Sequence, residues 1–463
     1  MNAENNSLVV YELNEVPKKV LDYYISRRPK SNLSRLCKTG LFKITYTNDE
    51  GELHPWSTWP SVHRGVTNGK HNIKFLNQDK NCAKSYPPIW EILEKSGLTI
   101  GIFGSLQTYP PYKSKNVDFF VPDTFAPASS SIPTDLELFQ RFNLSLARKN
   151  KAYAGNIKIL DLINLFKIIK KGLVSIKTLL KVFIHLMKEF CDSRYKKRRA
   201  NIQAMFSFDA YKIYLQKYKP NYSTFFTNHI AANMHRYWLH TFPEDFDIND
   251  KQNIKDAGFH SLSILKAMDI ADKQIGFLME FQESRGGAFL VVSGLGQEAI
   301  VRKEYQYDLY LENDKKFLET FGLDKRDYKF LPSMYPDINI SCKNQECLLL
   351  LLKKVKSLRD HNGNKILRQR YDNKGNTLNL VIESKIPLGR EDNLVIEKKY
   401  IKPTELGFIL ISRDNGTGYH VKEGIFISNS NFKNDLNKRF FKNQTQLDIC
   451  NIFEMTLNYF NVN

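Results

Sequence analysis

The chain has 463 residues, of which 42% are hydrophobic and 13% aromatic, and its formal net charge is +19. This composition excludes a disordered chain, and the length allows either one large domain with insertions or two domains. The excess of lysine and arginine favours anionic partners, namely phosphorylated substrates, nucleic acid or an acidic membrane face.

Six cysteines are scattered along the chain without a CxxC pair, which argues against a zinc ribbon or a dense disulfide scaffold. The first seven residues lack the basic and apolar regions of a signal peptide. No stretch of about 18 apolar residues predicts a spanning helix. We therefore expect a cytoplasmic protein, with peripheral association at the inner membrane face as an extension of that prediction.

Apolar runs that alternate with helical patterns predict the secondary structure in chain order. The pattern predicts strands over 7–13, 99–104, 223–229, 288–294 and 423–428, and helices over 17–27, 61–67, 90–97, 261–281 and 445–460. Such alternation indicates an α/β fold with a mostly parallel central sheet flanked by helices. Ligands bind such sheets at the carboxyl ends of the strands, where Glu12, Asn228 and His229 are expected.

Two segments interrupt this alternation. Residues 151–220 predict a basic helical insertion, and residues 356–402 predict a small β-hairpin insertion with turns of the Asn-Gly type. The α/β core is then expected to comprise residues 1–150, 221–355 and 403–463.

The basic insertion allows two interpretations. Residues 155–199 carry 12 Lys/Arg against 3 Asp/Glu, a net charge of +9. The helices could cap the site with solvated lysines, or they could lie on an anionic bilayer or hold a lipid-linked or polyanionic substrate. Nucleic acid is disfavoured, because the segment lacks stacked aromatic residues and any helix-turn-helix or zinc signature.

Thr58, in the run His54-Pro-Trp-Ser-Thr-Trp-Pro-Ser61, is the first candidate for chemistry. Pro60 is favourable at the first position of a helix, so the pattern predicts that Thr58 immediately precedes a helix start. There the helix dipole would stabilise an alkoxide or an incoming phosphate. A threonine that only caps the helix is the alternative.

Three motifs in their order resemble the alkaline phosphatase superfamily, with the nucleotide pyrophosphatase/phosphodiesterase branch closest in layout. An acidic residue at the first strand is followed by Thr58-Trp-Pro and then by Thr67-Asn-Gly69. Later, Thr417-Gly-Tyr-His is followed by the strand Glu423-Gly-Ile-Phe-Ile-Ser428. The resemblance covers most of the chain outside the two insertions and implies the same α/β fold.

The resemblance also implies a nucleophile and metal ligands. It places the nucleophile at Thr58 and the metal ligands at Glu12, His235 and His420, with Asn228 or His229 in place of a ligand that Ala231 cannot supply. The family's Ser-Asp-His-Gly turn reads Ser293-Gly-Leu-Gly296 here, so two ligands are lost. We therefore expect one divalent cation, zinc or manganese, and no second ion.

Further side chains are assigned supporting roles. His54 and His63 flank Thr58 and could orient it or act as general acid, or they could simply be packed or exposed residues. Arg64 and Lys70 are expected to neutralise phosphoryl oxygens. Residues of the segments around Ser105, Tyr109 and Trp238 are expected to shape the substrate pocket, and residues 49–52 to form a solvated loop.

The sequence therefore predicts a metal-dependent phosphoryl-transfer enzyme, either a phosphodiesterase or phosphatase or a phospho-group transferase. The expected substrate is an anionic phosphorylated small molecule or glycan, such as a nucleotide-activated or lipid-linked precursor of a surface polysaccharide. The alternative is a degenerate, non-catalytic member of the same fold that binds an anion or a glycan.

Overall fold

The computed structural model describes residues 6–149, 159–247, 256–301, 307–371, 375–383, 393–412, 416–432, 437–441 and 446–462. The helices are α1 Lys18–Arg27, α2 Asn32–Thr39, α3 Pro55–Arg64, α4 Asn68–His71, α5 Ile89–Lys95, α6 Glu137–Lys149, α7 Ile159–Lys170, α8 Ile176–Cys191, α9 Arg199–Tyr218, α10 His229–Thr241, α11 Ala257–His260, α12 Ser263–Glu283, α13 Asp314–Thr320, α14 Gln345–Val355 and α15 Asn451–Phe460.

The strands are β1 Leu8–Leu13, β2 Leu41–Tyr46, β3 Ile100–Phe103, β4 Val117–Val121, β5 Tyr222–Thr227, β6 Ala288–Val292, β7 Gly296–Ala299, β8 Tyr307–Leu311, β9 Tyr328–Leu331, β10 Asp337–Cys342, β11 Leu367–Tyr371, β12 Thr377–Ile382, β13 Leu394–Ile396, β14 Lys399–Ile401, β15 Phe408–Ser412, β16 Gly418–Val421, β17 Glu423–Ser428 and β18 Gln446–Asp448.

The main body is built on an eight-stranded sheet in the order β18-β2-β17-β6-β1-β5-β3-β4. All neighbouring strands pair in parallel except β17, which runs antiparallel to both β2 and β6. The predicted α/β class, with a mostly parallel central sheet flanked by helices, is confirmed. The carboxyl ends of the central strands β6, β1 and β5 lie side by side, which is where such sheets place their ligands.

β1 shows why the sheet needs helices on both faces. All six of its residues are buried, and successive side chains of a strand point to opposite faces. Val9, Tyr11 and Leu13 belong to one apolar core, while Leu8 and Val10 belong to the core on the other face. A strand buried on both sides is mostly apolar, which is the pattern that predicted β1, although β1 also carries the buried Glu12.

Two predicted boundaries are wrong. The helix that carries Thr58 does not open at Pro60 but begins at Pro55, which takes the favourable first position, so Pro60 lies inside it. The closing helix begins at Asn451 rather than at 445, because Gln446–Asp448 adds an edge strand to β2. Position 445 lies outside the described residues.

A second, smaller lobe lies between β7 and β16 and has its own apolar core. Its four-stranded antiparallel sheet has the order β11-β12-β10-β9. The hairpin predicted in 356–402 corresponds to β11 and β12, but these strands pair with β10, so the structural unit begins well before residue 356. Residues 384–392 lie outside the described part of the chain.

The two faces of this small sheet differ in chemistry. Ile338, Ile340, Leu378 and Leu380 point into the lobe's core. The alternate positions of the same ladder carry polar side chains: Asp337, Asn339, Arg368, Arg370 and Asn379. Asn339 donates a hydrogen bond to the carbonyl of Leu76 (2.8 Å), which fixes the polar face against the main body.

The basic insertion is helical, as predicted, where the structure describes it. α9 packs into the main core through residues such as Tyr211 and Tyr214, α7 contributes Ile168 to the same core, and α8 packs Leu179 and Val182 against it. Residues 150–158 are outside the described part. Among the described residues, none of the helices has the length and apolar character needed to cross a membrane.

Candidate metal centre and adjoining cleft

One acid and two histidines converge beside the carboxyl end of β1. The Oε2 atom of Glu15 lies 3.0 Å from Nε2 of His235 and 3.3 Å from Nε2 of His420. In the described part of the chain this is the one group of three or more His, Cys, Asp or Glu side chains whose ligand atoms all lie within 4.8 Å of one another. The side chains of Glu15 and His420 are almost fully buried, whereas that of His235 is 31% exposed.

Three separate elements bring these side chains together. Glu15 follows β1 in a left-handed backbone conformation (φ 63°), so the chain turns sharply where the strand ends. His235 lies in α10, the helix that follows β5. His420 lies in β16, directly opposite Gln297 of β7 in an antiparallel pair.

A set of hydrogen bonds holds the carboxylate and one of the imidazoles. Asn14 donates to Oε1 of Glu15 (2.7 Å), and Gln297 donates to Oε2. Nδ1 of His235 donates to the carbonyl of Gly418 (2.9 Å), which directs its Nε2 toward Glu15. This is the usual arrangement around a metal-binding histidine, in which the second ring nitrogen is held by an acceptor and the first is left to the metal.

The charges of the group are strongly coupled. Burial tends to raise the pKa of Glu15, but the neighbouring His420 and His235 rings prevail and hold that pKa well below its usual range. Burial likewise tends to lower the pKa of His420, but the Glu15 carboxylate prevails and raises it. Glu15 is therefore ionised, and its carboxylate lies at hydrogen-bond distance from two imidazole nitrogens. A buried carboxylate in this position requires a positive charge beside it.

The group fits a divalent cation of the zinc type. Zinc–nitrogen bonds of about 2.0 Å in tetrahedral geometry place neighbouring ligand atoms about 3.3 Å apart, close to the two separations seen here. Two histidines and one glutamate, with the fourth position left for water or substrate, is a ligand set that catalytic zinc sites use. Imidazole nitrogen also suits zinc better than magnesium or calcium.

Thr58 lies in the fourth position of α3, and its amide donates to the carbonyl of His54 (3.0 Å). The side chain is fully buried, and its methyl group lies against Gly294. Its Oγ1 lies beside Asp49 but makes no hydrogen bond of good geometry among the described residues. A buried hydroxyl in that state requires an explanation.

Asp49 is not part of a solvated loop, contrary to the prediction for residues 49–52. It is 2% exposed and accepts hydrogen bonds from Ser61 Oγ (2.7 Å) and from the amide of Asn68 (2.8 Å). Burial raises the pKa of Asp49, and the bonds from Asn68 and Ser61 act against that rise. A buried carboxyl with a raised pKa beside a threonine has the character of a general base.

A single hydrogen-bond chain joins α3 to the metal group. Nε1 of Trp59 donates to Oδ1 of Asn14 (2.8 Å), whose amide nitrogen in turn donates to Glu15. The end of β6 approaches both elements, because Gly294 touches Thr58 and Ser293 Oγ accepts the amide of Val16 (2.7 Å).

A cleft of about 370 Å³ opens beside the amino-terminal end of α3. His54 and Ser57 line it from the helix, and Lys74, Arg368 and Arg370 bring positive charge to it. His54 connects the cleft to the metal group, because its ring lies 5.9 Å from the ring of His420, centroid to centroid. Burial lowers the pKa of His54, and the carboxylate of Glu52 acts against this shift.

The cleft already holds an anionic side chain. Glu52 accepts hydrogen bonds from Arg368 (2.8 Å), Arg370 (2.8 Å) and Tyr419 (3.0 Å), and lies 3.5 Å from Nε2 of His54. These neighbours, His54 first, hold the pKa of Glu52 well below its usual range. The guanidinium groups of the small lobe thus bind a carboxylate, that of Glu52, in the cleft.

Three predicted metal ligands lie outside the group. Glu12 contacts His63 instead (2.7 Å), and both side chains are buried. Asn228 accepts a hydrogen bond from Asn14 (2.7 Å), the residue that also donates to Glu15. Both ring nitrogens of His229 are occupied, by Thr227 Oγ1 (2.7 Å) and the carbonyl of Ala267 (2.9 Å), so this histidine is part of the packed core.

The remaining predicted residues are spread around the main body. Arg64 donates to the carbonyls of Ala83 and Tyr86, and Lys70 is exposed. Ser105 is bonded to Thr224 (2.7 Å), and the carbonyl of Tyr109 accepts from Lys80. Trp238 is buried and donates to Asp245 (2.8 Å). None of these five side chains lines the described cleft.

Sequence reasoning missed Glu15, Asn14 and Gln297, and it placed Asp49 and Arg370 in solvated or inserted segments. A signal existed for two of them. Asn14 and Glu15 follow directly after the first buried strand, at the edge of the sheet where ligands bind. Gln297, Asp49 and Arg370 reach their places only through tertiary contacts that no local pattern indicates.

No family model and no curated protein matches the chain. Similar solved structures include murine ectonucleotide pyrophosphatase/phosphodiesterase 5, at 10% identity and a TM-score of 0.38. They also include phosphonoacetate hydrolase from Sinorhizobium meliloti 1021 in complex with phosphonoformate, at 12% identity and a TM-score of 0.43. Each match covers 99% of this chain and 96% of the other. Identities and TM-scores this low carry no argument about activity.

Proposed function

We propose that the chain is a metal-dependent phosphoryl-transfer enzyme whose single divalent cation is held by Glu15, His235 and His420. The observation that carries the proposal is the convergence of these three ligand atoms, with the His235 side chain 31% exposed, next to a cleft to which Lys74, Arg368 and Arg370 bring positive charge. The cation, zinc or manganese, would act as a Lewis acid on a phosphoryl oxygen. The residues of the chain itself bind, orient and move protons.

The cleft determines which substrates can enter. Arg368, Arg370 and Lys74 favour an anionic group, and the position held by Glu52 shows that a carboxylate-sized anion fits there. His54, between the cleft and His420, is placed to orient a substrate oxygen toward the metal group. A phosphorylated small molecule or glycan precursor, either nucleotide-activated or lipid-linked, meets these requirements.

Thr58 is the proposed nucleophile, and Asp49 is the proposed base. Asp49 takes the hydroxyl proton as Oγ1 of Thr58 bonds to phosphorus, and the bond from phosphorus to the leaving oxygen breaks with its electron pair. The leaving oxygen takes a proton from water. A water molecule or an acceptor hydroxyl then attacks the same phosphorus, loses its proton and restores Thr58, so hydrolysis and transfer share one intermediate.

The nucleophile is tested by replacing Thr58 with valine, which keeps the shape and removes the hydroxyl. We expect metal-stimulated hydrolysis of bis(p-nitrophenyl) phosphate to fall by about a thousandfold or more, and Thr58→Ser to keep part of it. Thr456→Val is the matched control, because that buried helical hydroxyl bonds only to the carbonyl of Ile452 in α15. Full activity of Thr58→Val would assign the attack to water.

The burial of Thr58 and the loss of the ligand pair at Gly294 and Leu295 favour a second candidate, a non-catalytic protein that binds an anion. The two proposals differ in turnover. A chain that binds zinc and inorganic phosphate, yet releases no nitrophenol with any of several metal ions, would be a binding protein. Turnover by the parent that disappears in His235→Ala would show that the chain is an enzyme.

Location at the inner face of a membrane belongs to the same proposal, because lipid-linked precursors lie there. It is supported by the charge of residues 155–199, but catalysis in the cleft does not depend on it.

A further inference from the structure

The described helices of the basic insertion expose an unusual amount of apolar surface. Phe190 is 89% exposed and Ile176 is 85% exposed. Most of the large hydrophobic residues that are exposed in the described chain lie between 163 and 190: Ile163, Phe166, Ile169, Ile176, Leu180, Phe183, Ile184, Leu186, Met187 and Phe190. We call these ten residues the apolar face. Exposed apolar side chains in this number indicate an interaction site.

On α8 the apolar residues follow the helical repeat. Ile176, Leu180, Phe183, Met187 and Phe190 are separated by three or four residues, so they form one stripe along the helix. The stripe points away from the protein, because each of these residues is exposed. A normal surface helix has one apolar side, which packs on the core, whereas α8 carries this exposed stripe in addition to Leu179 and Val182, which pack on the core.

The inward side of α8 packs Leu179 and Val182 against the main core and carries a buried ion pair, and both contacts fix this orientation. Glu189 is buried and makes a bidentate ion pair with Arg199 of α9 (2.7 and 2.9 Å). It also lies 2.9 Å from Nε2 of His185. Rotating α8 to bury its apolar stripe would expose this ion pair or leave Glu189 buried without a partner, which is costly.

The surroundings of the apolar face are basic. Lys167, Lys170, Lys171, Lys177 and Lys188 are all exposed beside it. The two acidic side chains described on α8 and the turn after it are already paired, Glu189 with Arg199 and Asp192 with Arg194. The net field around the face is therefore positive and favours a negatively charged partner.

The apolar face and the lysines beside it together indicate which partner binds there. A second copy of the chain would bring the same lysines face to face, whereas a bilayer with anionic lipids accepts both the aromatic and aliphatic side chains and the lysines. α8 has 16 residues and is about 24 Å long, so it fits in the plane of the interface. Basic amphipathic helices that lie in this plane bury their apolar side at the boundary of headgroups and acyl chains.

We propose that α7 and α8 dock the protein on the surface of an anionic bilayer through the apolar face and its lysines. The inference gives the proposed membrane location a defined surface. It rests on that surface and not on the metal group, so either proposal can fail while the other stands.

The test is sedimentation of the full chain with vesicles of phosphatidylcholine alone or mixed with phosphatidylglycerol. We expect binding to the anionic vesicles only, weakened by salt, and a loss of about tenfold or more in the variant Leu180→Ser/Phe183→Ser/Phe190→Ser. Leu349→Ser/Tyr400→Ser, which removes two exposed apolar side chains outside the apolar face, should bind like the parent. The substituted residues are exposed, so thermal unfolding should verify that both variants fold.

Other results would overturn the proposal. Equal binding of parent and triple variant, or no binding of the parent to anionic vesicles, removes the apolar face as a lipid surface. A concentration-dependent dimer in sedimentation velocity, lost in the triple variant, would mean that a second copy covers the face instead. Glu15→Gln is expected to lose metal binding but to keep vesicle binding. Failure of the lipid proposal can therefore be distinguished from failure of the catalytic proposal.

Discussion

Single side chains near the end of β1 decide which chemistry the site can perform. Glu12 and Glu15 are three residues apart, yet Glu12 pairs with buried His63 while Glu15 turns toward two histidines. The strand fixes the direction of the Glu12 side chain. The left-handed turn after the strand places Glu15 at the edge of the sheet. In the structure Glu15, and not Glu12, lies within ligand distance of the two histidines.

The pH dependence of stability tests whether the His229 side chain is buried in the folded protein. Its complete burial lowers its pKa from 6.5 to about 4, so between these values the unfolded chain binds a proton that the folded chain does not. Stability must then fall as the pH drops through this range, by on the order of 3 kcal/mol from this residue. We expect His229→Gln to be less stable at neutral pH but to lose less on acidification.

Urea unfolding at several pH values measures this difference. Lys329→Gln, which changes an exposed residue of the small lobe, is the control. An unchanged pH slope in His229→Gln would mean that the imidazole is accessible to protons in the folded state.

At the scale of elements, α3 shows how a helix accommodates a proline in its interior. Pro60 cannot donate to the carbonyl of Trp56, and that carbonyl instead accepts from Gln107 (3.3 Å). Gln107 also donates to the carbonyl of Phe75 (2.8 Å), so one side chain ties α3 to two loops. The position of Thr58 therefore depends on a residue far away in sequence.

This arrangement predicts a coupling between two substitutions. Gln107→Met removes the side-chain donor to the buried carbonyl of Trp56 and one of the two donors to the carbonyl of Phe75, so it should lower the free energy of unfolding by about 1–3 kcal/mol. Pro60→Ala restores an amide donor to Trp56, so the double variant should lose less than the sum of the two single variants. Strict additivity in a double-mutant cycle would contradict the role given to Gln107.

The sequence predicted elements where the local pattern carries the information. β1, β5 and β6 are apolar runs because both faces of the sheet are covered, and the pattern found them within two residues. It failed at α3, where two prolines compete for the first helical position and Pro55 takes it. It also missed β2 and β18, whose pairing along the sheet edge is decided by contacts distant in sequence.

The candidate site was predictable in part. His235 and His420 converge, and the resemblance to the alkaline phosphatase superfamily had indicated both. Their partner Glu15 lay three residues from the position that the same resemblance selected. A side chain at Gly294 would crowd the methyl group of Thr58, and this constraint follows from packing and not from any motif.

At the scale of the whole molecule, the site is shared between two bodies. The main body supplies Glu15, His235 and Thr58, and the small lobe supplies Arg368 and Arg370. These arginines hold Glu52 of the main body across the cleft. In the proposed function, substrate binding and the contact between the lobes therefore use the same guanidinium groups.

This sharing predicts a separation of kinetic effects. Arg370→Gln removes one cation from the cleft without touching the metal group, so KM for a phosphorylated substrate should rise by about tenfold while kcat changes less. Arg326→Gln is the control, because that arginine is 83% exposed on the same lobe and pairs with Asp324. An equal fall in kcat and kcat/KM would place Arg370 at the reacting group instead.

The central claim, that Glu15 and two histidines form the metal site, is tested most directly by calorimetric titration of the metal-free full chain with zinc. The structure predicts one ion per chain in the parent and in Glu12→Gln, and loss of binding in Glu15→Gln and in His420→Ala. Circular dichroism of each variant should verify folding. Zinc binding that survives Glu15→Gln but disappears in Glu12→Gln would contradict the account.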